Sequence, residues 1–155
     1  MNKLKIAIRV DASLKIGSGH VMRCISLANE LTRSGSECVF ITRTQKGNLT
    51  ELLTEKGYEI YLLPPHLEGS SISIARSSAS CANWLGCSWE HDAEQTSYAL
   101  TKIKPDWLIV DNYGLDANWE QAVNSGDLKL MIIDDLVLVD RNRPRSSPGA
   151  GSNVG

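Results

Sequence analysis

One stretch near the amino terminus gathers side chains that could do chemistry. Arg9 and Asp11 close an apolar run, Gly17 and Gly19 sit in the loop that follows, and His20 and Arg23 open what reads as a helix. Glycines at such a turn let backbone approach a ligand closely. A helix N-terminus behind them favours an anionic group such as a phosphate. A neutral imidazole beside a sugar phosphate accepts a proton from water, general-base chemistry that is typically worth about 10²–10⁴-fold in rate. Spacing alone leaves His20 open between that role and a merely polar or helix-capping one.

Other site types lack their residues. Gly17 and Gly19 start a Gly-x-Gly-x-x-Gly fingerprint, but the third position is Met22. Strand two ends Ile41-Thr42-Arg43, without the acid that holds a dinucleotide ribose. No Walker loop, His-Glu-x-x-His or Cys-x-x-Cys is present. The sequence therefore predicts no nicotinamide or flavin cofactor and no metal.

The elements that must position this stretch alternate between strand and helix. Leu4 to Val10 reads as a buried parallel strand. Val21, Met22, Ile25, Leu27, Ala28 and Leu31 have helical spacing from about Gly19 to Ser34, with Gly35 a natural stop. Further strands are expected at 38–41, 58–63, 107–111 and 128–134, and helices at 49–56, 92–103 and 119–123. Residues 64–88 are irregular and serine-rich, and end in Trp84-Leu85-Gly86-Cys87-Ser88-Trp89, read as a packed or a substrate-facing turn. The pattern predicts an α/β fold: a Rossmann-like, doubly wound parallel sheet of strand order 3-2-1-4-5. Its ligand crevice is expected where the order reverses, between strands one and four.

Bulk properties narrow the class. The chain has 155 residues, 42% hydrophobic and 22% charged, with a formal net charge of −2, which suits one globular domain and argues against nucleic acid as the main partner. No run of 18 apolar residues indicates a membrane span, and the amino terminus runs into a strand without a signal-peptide pattern, so a cytoplasmic protein is expected. Cys24, Cys38, Cys81 and Cys87 are expected as reduced thiols, the first two on core faces, and His66 and His91 are expected to face solvent. Residues 137–155 have no apolar period and many breakers, and read as a disordered or non-native tail.

The segment Arg9-x-Asp11-x-Ser13-x-x-Ile16-Gly17-x-Gly19-His20-x-x-Arg23 resembles the amino-terminal signature of the PseG-type UDP-2,4-diacetamido-2,4,6-trideoxy-β-L-altropyranose hydrolases of pseudaminic acid biosynthesis. Trp84-Leu85-Gly86, Asp92-Ala93, Trp107 to Tyr113 and Ile133-Asp134-Asp135-Leu136 follow in the matching order, so the likeness spans residues 3 to about 136. That family is similar to GT-B glycosyltransferases of the MurG type, in which two Rossmann-like domains face each other across a cleft. The resemblance implies metal-independent, inverting hydrolysis of the anomeric C–O bond of a UDP-sugar. It puts the water-activating base on His20 and an active-site tyrosine on Tyr113. Arg9, Asp11, Gly17, Gly19 and Arg23 become expected substrate contacts. Asp111 is open between a loop cap and a site residue, and Arg23 between a surface position and a pair with Asp11.

The family continues into a second, nucleotide-binding domain, for which this sequence shows no counterpart after about residue 136. The expectation is a domain over 1–136 that holds the base but half of the substrate site, and that shows little turnover alone. The face where the second domain would dock leaves room for self-association. Two other readings stay open: the acceptor-side domain of a GT-B glycosyltransferase, and a non-catalytic Rossmann-like binding module.

Overall fold

Five apolar runs become five parallel strands: β1 (Lys5–Val10), β2 (Glu37–Arg43), β3 (Glu59–Leu63), β4 (Trp107–Asp111) and β5 (Lys129–Ile132). They form one sheet of order β3-β2-β1-β4-β5, the order the sequence implied. This is a computed structural model, and it describes residues 2–11, 18–43, 50–65, 87–112, 114–124 and 126–133. The serine-rich stretch with Trp84 and His66, the residues around Gly17, Tyr113, and the tail lie outside the described residues.

Alternation along β1 sets the two faces. Ile6, Ile8 and Val10 point to one side, where they pack with Val21, Cys24, Ile25 and Ala28 of α1 (Gly19–Arg33) and Leu53 of α2 (Thr50–Glu55). Ala7 packs on the other side with Ala93, Ala99 and Ile103 of α3 (Trp89–Ile103) and with Trp119 and Val123 of α4 (Ala117–Val123). Ile8 pairs in register with Phe40 of β2 and Ile109 of β4. Ile8 and Phe40 are wholly buried, and each such side chain stabilises the fold by about 1.5–3 kcal/mol.

The helix ends follow local chemistry. α1 stops at a left-handed Gly35 (φ +94°), with Ser36 N donating to Leu31 O and Gly35 N to Thr32 O. α2 ends the same way at Gly57 (φ +82°), with Tyr58 N on Leu53 O. Both are Schellman-type ends, in which a residue lacking Cβ takes the left-handed turn. α3 begins three residues before the apolar spacing suggested, because Ser88 Oγ accepts from His91 N and caps it. α4 likewise starts at Ala117, capped by Asp116, which accepts from Asn118 N and Trp119 N. Among the described residues no helix is long and apolar enough to cross a membrane.

Candidate functional site

The strand order makes β1 and β4 neighbours although the chain visits β2 and β3 between them. Their carboxyl ends bound the switch-point crevice in which ligands of such sheets bind. Val10 pairs with Asp111, the last residue of β4, and α1 is the next element after β1. Asp111 shares its strand face with Ile109, the face α1 covers. One turn of α1 therefore lies over one buried carboxylate.

Three residues of that turn reach it. His20 Nδ1 lies 2.6 Å from Asp111 Oδ1. Arg23 Nε donates to Oδ2 at 2.8 Å and Nη2 to Oδ1 at 2.7 Å. Cys24 Sγ donates to Oδ2 at 3.6 Å. Positions 20, 23 and 24 are the i, i+3, i+4 set that shares a helix face. The Asp111 side chain is 1% exposed, His20 11% and Arg23 35%, so the cluster opens from a sealed carboxylate towards solvent. With Asp111 as the acceptor, Nδ1 is the donor of this hydrogen bond, and in the neutral ring that tautomer carries its lone pair on Nε2. Burial, followed by the Asp111 charge, pushes the Cys24 thiol far up, so it stays a neutral donor.

A second charged cluster occupies the opposite face of the same sheet edge. Asp92, in the first turn of α3, takes Arg9 Nη2 and Arg43 Nη2 on Oδ2, both at 2.6 Å. Its Oδ1 accepts from Trp119 Nε1 (2.9 Å) and Thr96 Oγ1 (3.1 Å). Arg9 Nη1 continues to Asp11 Oδ1 (2.6 Å), which also accepts Arg43 N (2.8 Å), while Asp11 Oδ2 accepts Asn112 Nδ2 (2.9 Å). Asp11 thus ties the carboxyl ends of β1, β2 and β4 together. Burial works to raise the Asp92 pKa, but Arg9 and Arg43 outweigh it and hold the carboxyl at about 2. Burial likewise opposes the Arg9 charge, and Asp11 and Asp92 reverse that and drive its pKa upward. Burial pushes the nearby Cys87 thiol up to about 11, against the pull of Arg43.

Burial bears on two of the expected substrate contacts. Arg9 is wholly buried, and Asp11 is 2% exposed with both oxygens engaged. They hold strand ends together, because β1 is covered on both faces and Arg9 follows the parity of Ala7. Arg23 meets Asp111, where the sequence left a surface position or a pair with Asp11. Asp111 is a partner of His20. Gly19 is the first residue of α1, and an added Cβ there would meet nothing within 4 Å among the described residues. Gly17 and Tyr113 fall outside the described residues. His91 is exposed, Trp89 is half-buried against the α3-side core, and Cys24, Cys38 and Cys87 are buried thiols.

Sequence reasoning missed Asp92 and Arg43 as network members. A signal existed for Asp92: it lies on the 92-96-99-103 stripe, an acid in line with Thr96, Ala99 and Ile103 on the buried side of α3. Two cavities, of about 680 and 510 Å³, flank the amino ends of the strands, near Ser36 and Tyr58 and near Pro105 and Leu128 respectively. Neither includes His20. Among the described residues no three His, Cys, Asp or Glu side chains form a metal-binding group.

Fold and site together define a Rossmann-like α/β domain with a histidine–carboxylate pair at its switch point. A glycosyltransferase from Rickettsia africae ESF-5 shares the fold at a TM-score of 0.52 and 18% identity, over 85% of this chain and 30% of that one. The chain is also 26% identical over 133 residues to the uncharacterized protein MJ1062 of Methanocaldococcus jannaschii, a span of 85% of this chain and 22% of that protein. It thus spans less than a third of either relative. No protein-family model matches it.

Proposed function

We propose that this chain is the base-bearing domain of a UDP-sugar hydrolase, in which His20 activates the attacking water. The observation that supports the reading is the His20 Nδ1–Asp111 contact of 2.6 Å at the switch point; in a neutral ring with Nδ1 as donor, Nε2 is the base. The ordered sequence resemblance supports the substrate class. In the reaction, Nε2 takes a proton from water as the water oxygen bonds to the anomeric carbon. The bond from that carbon to the diphosphate oxygen breaks, and UDP leaves with the electron pair. The imidazolium formed is stabilised by Asp111. In this reading the uridine-binding wall of the cleft belongs to a second domain.

A second reading is favoured by the fold likeness to a glycosyltransferase. There Nε2 takes its proton from a sugar hydroxyl instead of water, with the same bond broken. The experiment that separates the two uses this chain fused to the carboxyl-terminal domain of a full-length hydrolase relative. UDP release is followed in ¹⁸O-water, with and without added sugar acceptors. Hydrolysis predicts UDP release without acceptor and ¹⁸O in the sugar. Release that depends on an acceptor overturns it in favour of transfer, and ¹⁸O in the UDP phosphate contradicts both.

A further inference from the structure

We propose that Arg23 and Asp111 act as one positioning unit for His20: Arg23 grips both carboxylate oxygens, balances the buried charge, and so fixes Asp111 as the acceptor that holds the imidazole in its Nδ1–H tautomer. The proposal rests on the reading of His20 as a base, and it reassigns Arg23 from a substrate contact to a positioning residue.

Three observations carry it. First, a carboxylate that is 1% exposed is costly to bury without a charged partner, and Arg23 grips it as a cation. Second, the contact is two-pointed, Nε to Oδ2 and Nη2 to Oδ1, so the carboxylate cannot rotate without losing a bond. That aims Oδ1 at His20 Nδ1, with the buried Cys24 thiol on Oδ2 as a further neutral donor. Third, the Nε–Nη2 edge of Arg23, one of the two edges with which an arginine can clasp a phosphate, is already occupied by Asp111. Arg23 and His20 lie one turn apart on α1, with Arg23 Nη2 at 3.3 Å from His20 Nδ1. The base and the group that fixes its orienter therefore move as one rigid element. A lysine at 23 would keep the charge but supply no planar fork.

The test is nitrogen NMR of the ¹⁵N-histidine-labelled 155-residue chain at mildly alkaline pH, with the His20 signals assigned by loss in His20→Gln. The wild-type chain is expected to show Nδ1 protonated and Nε2 bare. Arg23→Met is expected to move the population towards the Nε2–H tautomer that free histidine prefers, and Asp111→Asn to do so at least as far. Amide spectra report whether each variant is folded. Should Asp111→Asn fail to fold, Arg23→Lys at a partly exposed helix position decides, with a mixture of tautomers expected. A folded Arg23→Met or Arg23→Lys with the wild-type tautomer overturns the proposal. In the fused enzyme, Arg23→Met is expected to lower kcat by about 10²-fold with KM little changed. A raised KM with an unchanged kcat instead marks Arg23 as a substrate contact. The NMR readout needs no turnover, so an inactive protein with an Asp111-held tautomer sinks the hydrolase reading and leaves this one standing.

Discussion

Two charged clusters sit back to back at the carboxyl edge of one sheet, and they are built to opposite ends. On the α3 side, Arg9, Arg43, Asp11 and Asp92 balance two cations with two anions, and all four are sealed from solvent. On the α1 side, Asp111 and Arg23 also balance, but His20 is added to the pair and the cluster opens outward. The first cluster ties β1, β2 and β4 together. The second adds an imidazole that is 11% exposed at its rim. A buried ion network is weak evidence for net stabilisation, since desolvation offsets much of the attraction, yet removing one member strands the rest. A half-open pair has less to lose in stability and more to offer in chemistry.

The largest effect that would break this contrast is on the closed side. Asp92→Ala leaves two buried arginines without their shared carboxylate and removes an acceptor from Trp119 Nε1. It is expected to cost about 3–5 kcal/mol, read from urea unfolding. A loss below about 1 kcal/mol would mean that the network is not a clamp.

Acid should find the same residue with a smaller effect. The Asp92 pKa lies at about 2 when folded, against a usual 3.8. A depressed carboxyl contributes stability that is fully present above its unfolded pKa. That contribution, about 2 kcal/mol, is expected to fade as pH falls through about 4 towards 2. Subtracting the unfolding profile of a folded Asp92→Asn variant from that of the wild type isolates it. Parallel profiles over that window would contradict the assignment.

Most of the fold could be read from the chain because apolar runs and breakers are local signals. Gly35 and Gly57 end their helices as expected, and all five strands fall where the runs placed them. The pairings were not readable in the same way. His20 and Asp111 lie 91 residues apart, and Trp107 to Val110 is apolar throughout. With no alternation in β4, nothing local says which face Asp111 takes. Arg9 shows the converse: its parity with Ala7 points it into the α3 side, but its place at a strand end suggests a ligand contact. Asp92 passes for an ordinary acid in a helix first turn until its stripe mates prove buried.

The central claim is that His20 is the reacting base and not a packing residue, and turnover of His20→Ala tests it most directly. In the fused two-domain enzyme the account predicts a fall in UDP release of about 10²–10⁴-fold, while the unfolding midpoint stays close to that of the parent. Release within twofold of the parent, from a variant that is equally well folded, would contradict it.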